Sequence, residues 1–222
     1  MPNILHIDSS ARSARLEGHS SISKTLAASF ITVWQENRLE DEIEYRDLSI
    51  NPPAFVSEDW IAAVFKETSQ LTAADKALIA PSDTLIGEIE RADIILMSAP
   101  MYNYGMPGVL KAWFDQIIRI NKTFSFDLAR GDQPLEPILS GKVMVLVTSS
   151  GEANFQAGEI RAHEDHLTSH IKLLSPYLGV DEFISIYSEF QEFSDQRHRD
   201  SLDKAEQKIR ATALQLIERY KK

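Results

Sequence analysis

The run Lys142-Val143-Met144-Val145-Leu146-Val147-Thr148 constrains the fold more than any other stretch of the chain. Its five central residues are apolar at every position, so a strand here hides both of its faces. Strands of that kind occur where helices cover both sides of a parallel sheet. Parallel neighbours in turn need long crossovers, usually helices. A chain built this way has to alternate strand and helix patterns along its length.

The rest of the sequence alternates in that way. Ile4-Leu5-His6-Ile7 reads as a buried strand with His6 a satisfied core histidine, and 21–38 as a helix with Ile22, Leu26, Phe30, Val33 and Trp34 on one stripe. Residues 43–48 alternate and predict a second strand nearer an edge. A Pro-containing excursion over 51–70 carries a short helix at 58–67. Thr72 and Asp75 have capping-box spacing before a helix bearing Leu78, Leu85, Ile86 and Ile89. Residues 94–98 form the third strand, and 109–119 a helix that buries Leu110, Trp113, Phe114, Ile117 and Ile118. Beyond the fourth strand, 142–148, the pattern predicts a helix over 164–178, a fifth strand over 183–187 and a terminal helix over 201–220. Five strands separated by helices imply an α/β fold, a doubly wound five-stranded parallel sheet with helices on both faces. Right-handed crossovers leave few topologies, and the expected strand order is the flavodoxin-like 2-1-3-4-5.

The 222 residues suffice for one large domain, 1–222, and no repeat or low-complexity stretch divides them. No apolar run approaches the roughly 20 residues of a membrane span. Met1-Pro2-Asn3 leads directly into a strand, without a signal-peptide layout. The absence of cysteine excludes disulfides, thiolate catalysis and Cys-ligated metal, and a cytoplasmic location is expected. A net charge of −10 argues against duplex nucleic acid as a partner and leaves small molecules. His163, His166 and His170 fall on one face of the expected 164–178 helix, but without HExxH logic no metal is expected there.

In this topology the loops after strands 1, 3 and 4 meet at the carboxyl edge of the sheet, where open α/β folds bind ligands. The first loop, Asp8 through Ser23, holds six serines and runs into a helix start. Hydroxyls and free N–H groups there can cradle a phosphate. It has the glycines of neither a P-loop nor a G-x-G-x-x-G fingerprint, which counts against ATP hydrolysis and a dinucleotide half-site. The second loop, Ala99-Pro100-Met101-Tyr102-Asn103-Tyr104-Gly105-Met106-Pro107-Gly108, offers stacking surface and an amide that both donates and accepts. The third, Thr148-Ser149-Ser150-Gly151-Glu152, can set backbone amides against a planar ring. One loop suits a single phosphate and two suit a flat heterocycle. A mononucleotide such as FMN satisfies all three.

With these motifs the chain resembles the FMN-dependent azoreductases and quinone reductases of the flavodoxin-like superfamily over nearly its whole length. The resemblance rests on Ser9-Ser10, Ser21-Ile22-Ser23, Ala99-Pro100-Met101-Tyr102-Asn103-Tyr104, Thr123-Phe124, Gly141-Lys142 and Thr148-Ser149-Ser150-Gly151. It implies a homodimer that uses NADH or NADPH to reduce quinones and azo dyes, with FMN sites at the dimer interface. By position, Ser10, Ser21, Ile22 and Ser23 would hold the phosphate, and Met101, Tyr102, Asn103 and Tyr104 would line the ring. Ser149, Ser150, Gly151 and Glu152 would close the opposite side. Phe124, Phe126 and Tyr177 are candidates for the substrate slot, with plain core packing as the alternative. Two features depart from the family pattern. The loop between Ser10 and Ser21 is longer than in many relatives, and Glu152 stands where glycine is frequent.

The chemistry so implied is ping-pong: nicotinamide delivers hydride to flavin N5 and leaves, and a quinone then accepts it in the same space. No side-chain nucleophile is needed, and Asn103 is the one side chain assigned to the ring's polar edge. The rival is a non-enzymatic flavodoxin-type electron carrier, also acidic and FMN-binding. Such a carrier has no use for the extra segments 51–70 and 122–140.

Overall fold

The computed structural model describes residues 1–13 and 20–221. The middle of the first serine-rich loop, 14–19, lies outside the described residues. The elements in chain order are β1 (Ile4–Asp8), α1 (Ile22–Asn37), β2 (Ile43–Asp47), α2 (Glu58–Val64), α3 (Ala73–Arg91), β3 (Ile94–Pro100), α4 (Gly108–Ile117), β4 (Phe124–Phe126), β5 (Leu135–Pro137), β6 (Lys142–Ser149), α5 (Thr168–Leu174), β7 (Val180–Ser188) and α6 (Gln196–Arg219). The main sheet runs β2-β1-β3-β6-β7, parallel throughout. Counting only its own strands, that is the expected order 2-1-3-4-5.

Every residue of β3 and β6 is buried, which is why neither strand carries a solvent-facing parity. Leu5, Ile7, Ile95, Met97, Met144 and Leu146 point to one side, into a core completed by Leu85, Ile86, Trp113 and Ile171 of α3, α4 and α5. Ile4, Ile94, Leu96, Val143, Val145 and Val147 point to the other, against Phe30 and Trp34 of α1 and Ile209 and Leu216 of α6. Thr72 and Asp75 form the capping box at the start of α3. At its other end Lys142 Nζ donates to the Ala92 carbonyl at 2.6 Å, a cation on the negative end of the helix. Burial lowers the pKa of that lysine. No helix among the described residues is long and apolar enough to cross a membrane.

The structure departs from the sequence pattern or adds to it at three places. The segment 164–178 is not one helix: a 3-10 turn at Ala162–Glu164 precedes α5, and another, Ser175–Leu178, follows it. The break has a cause. Asp165 Oδ1 accepts the N–H groups of Leu167 and Thr168 at 3.1 and 2.8 Å, and the His166 N–H goes to the Tyr104 carbonyl at 3.0 Å. An Asx-type cap therefore starts the helix late. His163, His166 and His170 consequently share no helical face, and the described residues hold no cluster of His, Asp and Glu arranged for a metal. Second, 122–140 contains an antiparallel hairpin pairing Phe126 with Leu135 and Phe124 with Pro137. Third, α6 begins at Gln196, capped by the Asp195 side chain, rather than at 201.

Leu146 has no exposed surface and lies in the middle of β6. Leu146→Ala is expected to cost about 2–5 kcal/mol. Urea unfolding should show a lower midpoint at an unchanged slope.

Candidate functional site

The carboxyl ends of the strands are tied to one another by hydrogen bonds that fix the loops. Ser9 donates from both N–H and hydroxyl to the Ser98 carbonyl, at 3.1 and 2.8 Å. The Met101 N–H reaches the Ser149 carbonyl at 2.8 Å, and the Ser150 N–H reaches that of Ser188 at 2.9 Å. The Ala11 N–H donates to the Tyr102 hydroxyl at 3.2 Å, joining the first loop to the second.

Between these loops lie two open clefts. One, of about 240 Å³, is bounded by Ser10, Arg12, Ser21 and Ile22 on one side and by Met101, Tyr102, Ser149, Gly151 and Glu192 on the other. The second, also of about 240 Å³, is bounded by Met101, Asn103, Tyr104, Ser150, Gly151, Glu152, Phe155 and Glu192. Met101, Gly151 and Glu192 border both, so the clefts form the two ends of one trough.

The first end is built on the start of α1. Ser21 is the N-cap, its hydroxyl accepting from the Lys24 N–H at 3.4 Å and lying 3.3 Å from the Ser23 hydroxyl. Ser23 is fully buried, so its side chain supports Ser21 from beneath, and it lines neither cleft. The first N–H groups of a helix have no intrahelical partner and sit at its positive end, a ready anion site. On the loop side the Ser10 hydroxyl accepts from the Arg12 N–H at 3.2 Å.

At the other end Tyr102 and Gly105 exchange both backbone hydrogen bonds, at 2.9 and 3.0 Å. The two residues between them, Asn103 and Tyr104, have φ of 48° and 65°. Positive φ at both central positions is the signature of a type I′ turn, which favours asparagine at the first. Asn103 thus serves the backbone as well as presenting an exposed amide. The four residues assigned to a ring are divided: Tyr102 borders the helix-start cleft, Asn103 and Tyr104 border the other, and Met101 borders both. Glu152 does not project free. It accepts from the Tyr104 hydroxyl at 3.0 Å and from Arg161 at 3.1 Å, and these partners hold it below the ordinary carboxylate range. Arg161 also lies 4.6 Å over the Phe155 ring.

Phe124, Phe126 and Tyr177 border neither cleft of their own chain. Phe124 packs edge-on against Tyr177 at 5.9 Å, and Phe126 is exposed on the hairpin. Conversely Arg12, Phe155, Arg161 and Glu192 border or brace the trough without a motif to announce them. The Asx cap at Asp165 was the one readable signal that the chain turns back here.

Under the first loop runs a buried polar chain. Asp8, 3% exposed, accepts from the Ser98 hydroxyl at 2.5 Å and the Tyr45 hydroxyl at 2.8 Å, with His6 Nε2 at 3.1 Å. Asp47 accepts from Lys24 Nζ at 2.6 Å and from the Ser49 hydroxyl at 2.6 Å. Burial opposes the charge of Asp47, but Lys24 and Ser49 outweigh it and hold the carboxyl below its usual value.

The trough can therefore hold a single phosphate at one end and a flat, polar-edged ring at the other. A family model described as "Flavodoxin-like fold" (Flavodoxin_2) matches residues 2–213. The chain belongs to this flavodoxin-like family. Within the family it is 52% identical over 219 residues to a protein of Colwellia psychrerythraea named FMN-dependent NADH:quinone oxidoreductase 2, covering 98% of this chain and 100% of the relative. A namesake from Idiomarina loihiensis is 52% identical over 218 residues, 97% of this chain and 91% of the relative. Among solved structures, the fold matches an azoreductase of Bacillus anthracis with a TM-score of 0.83 at 18% identity, covering 97% and 100% of the two chains.

Lys24→Met tests the floor of this flavodoxin-like site. It leaves Asp47 buried without its cation, a change that typically costs about 3–5 kcal/mol at neutral pH. Asp47's folded pKa is depressed in the parent, so its ion-pair stability is present above the unfolded value, about 3.9, and is lost as pH falls. The stability gap between parent and variant, followed by thermal melts, should narrow as pH drops through that region. A gap independent of pH would contradict the role given to Lys24.

Proposed function

We propose that this protein is an FMN-dependent NADH:quinone oxidoreductase that also reduces aromatic azo compounds. In this reading residues 1–222 form one FMN-binding domain that acts as a homodimer in the cytoplasm. One observation carries it: a hydroxyl-lined helix start and an Asn-bearing aromatic turn open into a single trough. The full-length identity to proteins of that name supports it.

The residues present fit FMN. Ser10 and Ser21, with the N–H groups of Ile22 and Ser23, would receive the phosphate. Gly151 is required by its neighbour, since a Cβ there would come within 2.5 Å of Glu192 Cγ. Met101, Asn103, Tyr104, Ser149, Ser150, Gly151 and Glu152 would surround the ring, while the pinned Tyr102 hydroxyl fixes the two loops relative to each other. When bound, FMN supplies the hydride chemistry between NADH and the quinone. The chain's share is to bind and orient. Asn103 both donates and accepts at the ring's polar edge. Arg161, balanced by Glu152 and Glu164, braces Tyr104 and Phe155 from behind.

Support for the dimer comes from apolar side chains left exposed on the two extra segments: Phe55 and Phe65 on one, Phe126, Leu128 and Leu135 on the other. In a two-fold dimer the hairpin would carry Phe126 to the partner's open cleft. Phe124 and Tyr177 would brace it, which is how these aromatics serve the substrate slot.

Anaerobic NADH should bleach the flavin absorption of the FMN-loaded protein without a partner reductase, and a quinone should restore it. Failure to bleach would leave the electron carrier as the better reading. Asn103 is tested by two variants. Asn103→Gly keeps the turn and removes the amide, so FMN binding should weaken by about 1–3 kcal/mol, roughly tenfold to a hundredfold. Asn103→Leu also strains the turn at positive φ, which lowers folding stability by about 1–2 kcal/mol. Fluorescence titration giving parent affinity for the glycine variant would remove Asn103 from the flavin.

A further inference from the structure

The turn after β7 contributes a wall of the trough that no motif assigns. It is held tightly. Phe190 and Ser194, at φ of 65° and 50°, bracket the 3-10 turn Gln191–Phe193. Three successive N–H groups, of Phe190, Gln191 and Glu192, donate to the carbonyls of Glu152, Ser150 and Gly151 at 3.2, 3.2 and 3.0 Å. Arg197, itself tied to Asp195, lies over the rings of Phe190 and Phe193 at 5.2 and 4.4 Å.

This clamp lays the stem of Glu192 directly across Gly151, where a Cβ would meet Glu192 Cγ at 2.5 Å. Glu192 therefore borders both ends of the trough. The neighbouring carboxylates are occupied. Glu152 is matched by Arg161, and Glu189 accepts from the Phe155 N–H and the Gln156 amide. The carboxylate of Glu192 has no hydrogen-bond or ion-pair partner among the described residues. It is an exposed, unpaired negative charge at the junction of the two clefts, on a turn flanked by two residues of positive φ.

We propose that Glu192 reads the bound flavin, accepting a hydrogen bond from a hydroxyl or N–H donor of FMN at that junction and setting its reduction potential by charge. The proposal rests on the FMN reading given above. Two-electron, one-proton reduction leaves one additional negative charge on the ring system. A carboxylate held beside it opposes that charge, so the reduced form binds less tightly than beside a neutral residue. The bound flavin is then a stronger reductant towards quinones.

The test compares the FMN-loaded parent with Glu192→Gln and Glu192→Ala, measuring Kd for FMN and the midpoint potential by equilibration with a reference dye. Glu192 is exposed, and far-UV circular dichroism checks that each variant folds. The glutamine variant should bind oxidised FMN within about threefold of the parent. It should bind reduced FMN about tenfold more tightly, a rise of about 30 mV for a two-electron couple. The alanine variant should show the same rise together with weaker binding of oxidised FMN. An unchanged potential in both variants overturns the proposal while leaving the FMN reading in place. A parent protein that binds no FMN overturns both.

Discussion

Covering both faces of a parallel sheet decides where chemistry can happen in this protein. The interior of β3 and β6 admits no polar side chain until the strands near their ends. β3 is apolar through Met97 and then turns to Ser98; β6 is apolar from Val143 through Val147 and then gives Thr148 and Ser149. β1 ends in Asp8 and β7 in Ser188, both buried. Polar groups displaced from the core accumulate at the carboxyl edge, and there they must find partners or pay the cost of burial. The backbone partners are one another, Met101 with Ser149 and Ser150 with Ser188, and the Ser9 hydroxyl takes the Ser98 carbonyl, while the Ser188 hydroxyl stays buried without a partner among the described residues. The same bonds that satisfy the strand ends hold the loops in register, so the trough is a consequence of the sheet rather than an addition to it.

The backbone around that trough is held in conformations most residues avoid. Of six non-glycine residues with positive φ among the described residues, Asn103, Tyr104, Asn154, Phe190 and Ser194 lie in the turns that form or adjoin its walls. Asparagine tolerates this region, whereas Tyr104 and Phe190 do not do so readily. Each is over-determined by neighbours. Tyr104 is fixed by Glu152 and Phe155, and Phe190 by the Glu152 carbonyl and Arg197. Strain of this kind, retained beside a binding cleft, fits a site shaped in advance of its ligand. It also means that Asn103 and Asn154 are not equivalent to exposed asparagines elsewhere, because replacing either disturbs the chain path.

The strands and their order were legible because one-sided and two-sided burial write different patterns, and β3 and β6 write the second plainly. The serine-rich helix start and the Asn103 turn were legible because both depend on local chemistry, capping and positive φ. The segment after β6 was not. His163, His166 and His170 have helical spacing, yet the Asp165 cap and the bond from His166 to the Tyr104 carbonyl override it. The first of those is local and could have been read; the second joins residues far apart in sequence and could not. The hairpin was missed because three-residue strands barely register as alternation, and Pro137 speaks against one. Glu192 left no trace, since its position depends on three backbone hydrogen bonds to a turn some forty residues earlier.

A chain of net charge −10 that binds a phosphate has to solve an electrostatic problem locally. Asp8 and Asp47 lie beneath the first loop, and two buried carboxylates there would repel an anion through a poorly screened interior. Lys24 removes half of the problem. Standing in the first turn of α1, where a cation works against the helix dipole, it is stable because Asp47 faces it at 2.6 Å. Tyr45 softens the other half without cancelling it, donating its hydroxyl to Asp8, and burial together with Asp8 pushes the phenol's pKa up so that it keeps that proton. The floor of the site thereby carries one unpaired carboxylate instead of two, its charge spread over the hydroxyls of Tyr45 and Ser98, and in the proposed reading the phosphate is received by hydroxyls and helix N–H groups rather than by a cluster of cations. Two residues that never touch the ligand in this arrangement, Lys24 and Tyr45, are what allow an anion site to be built over a pair of acids.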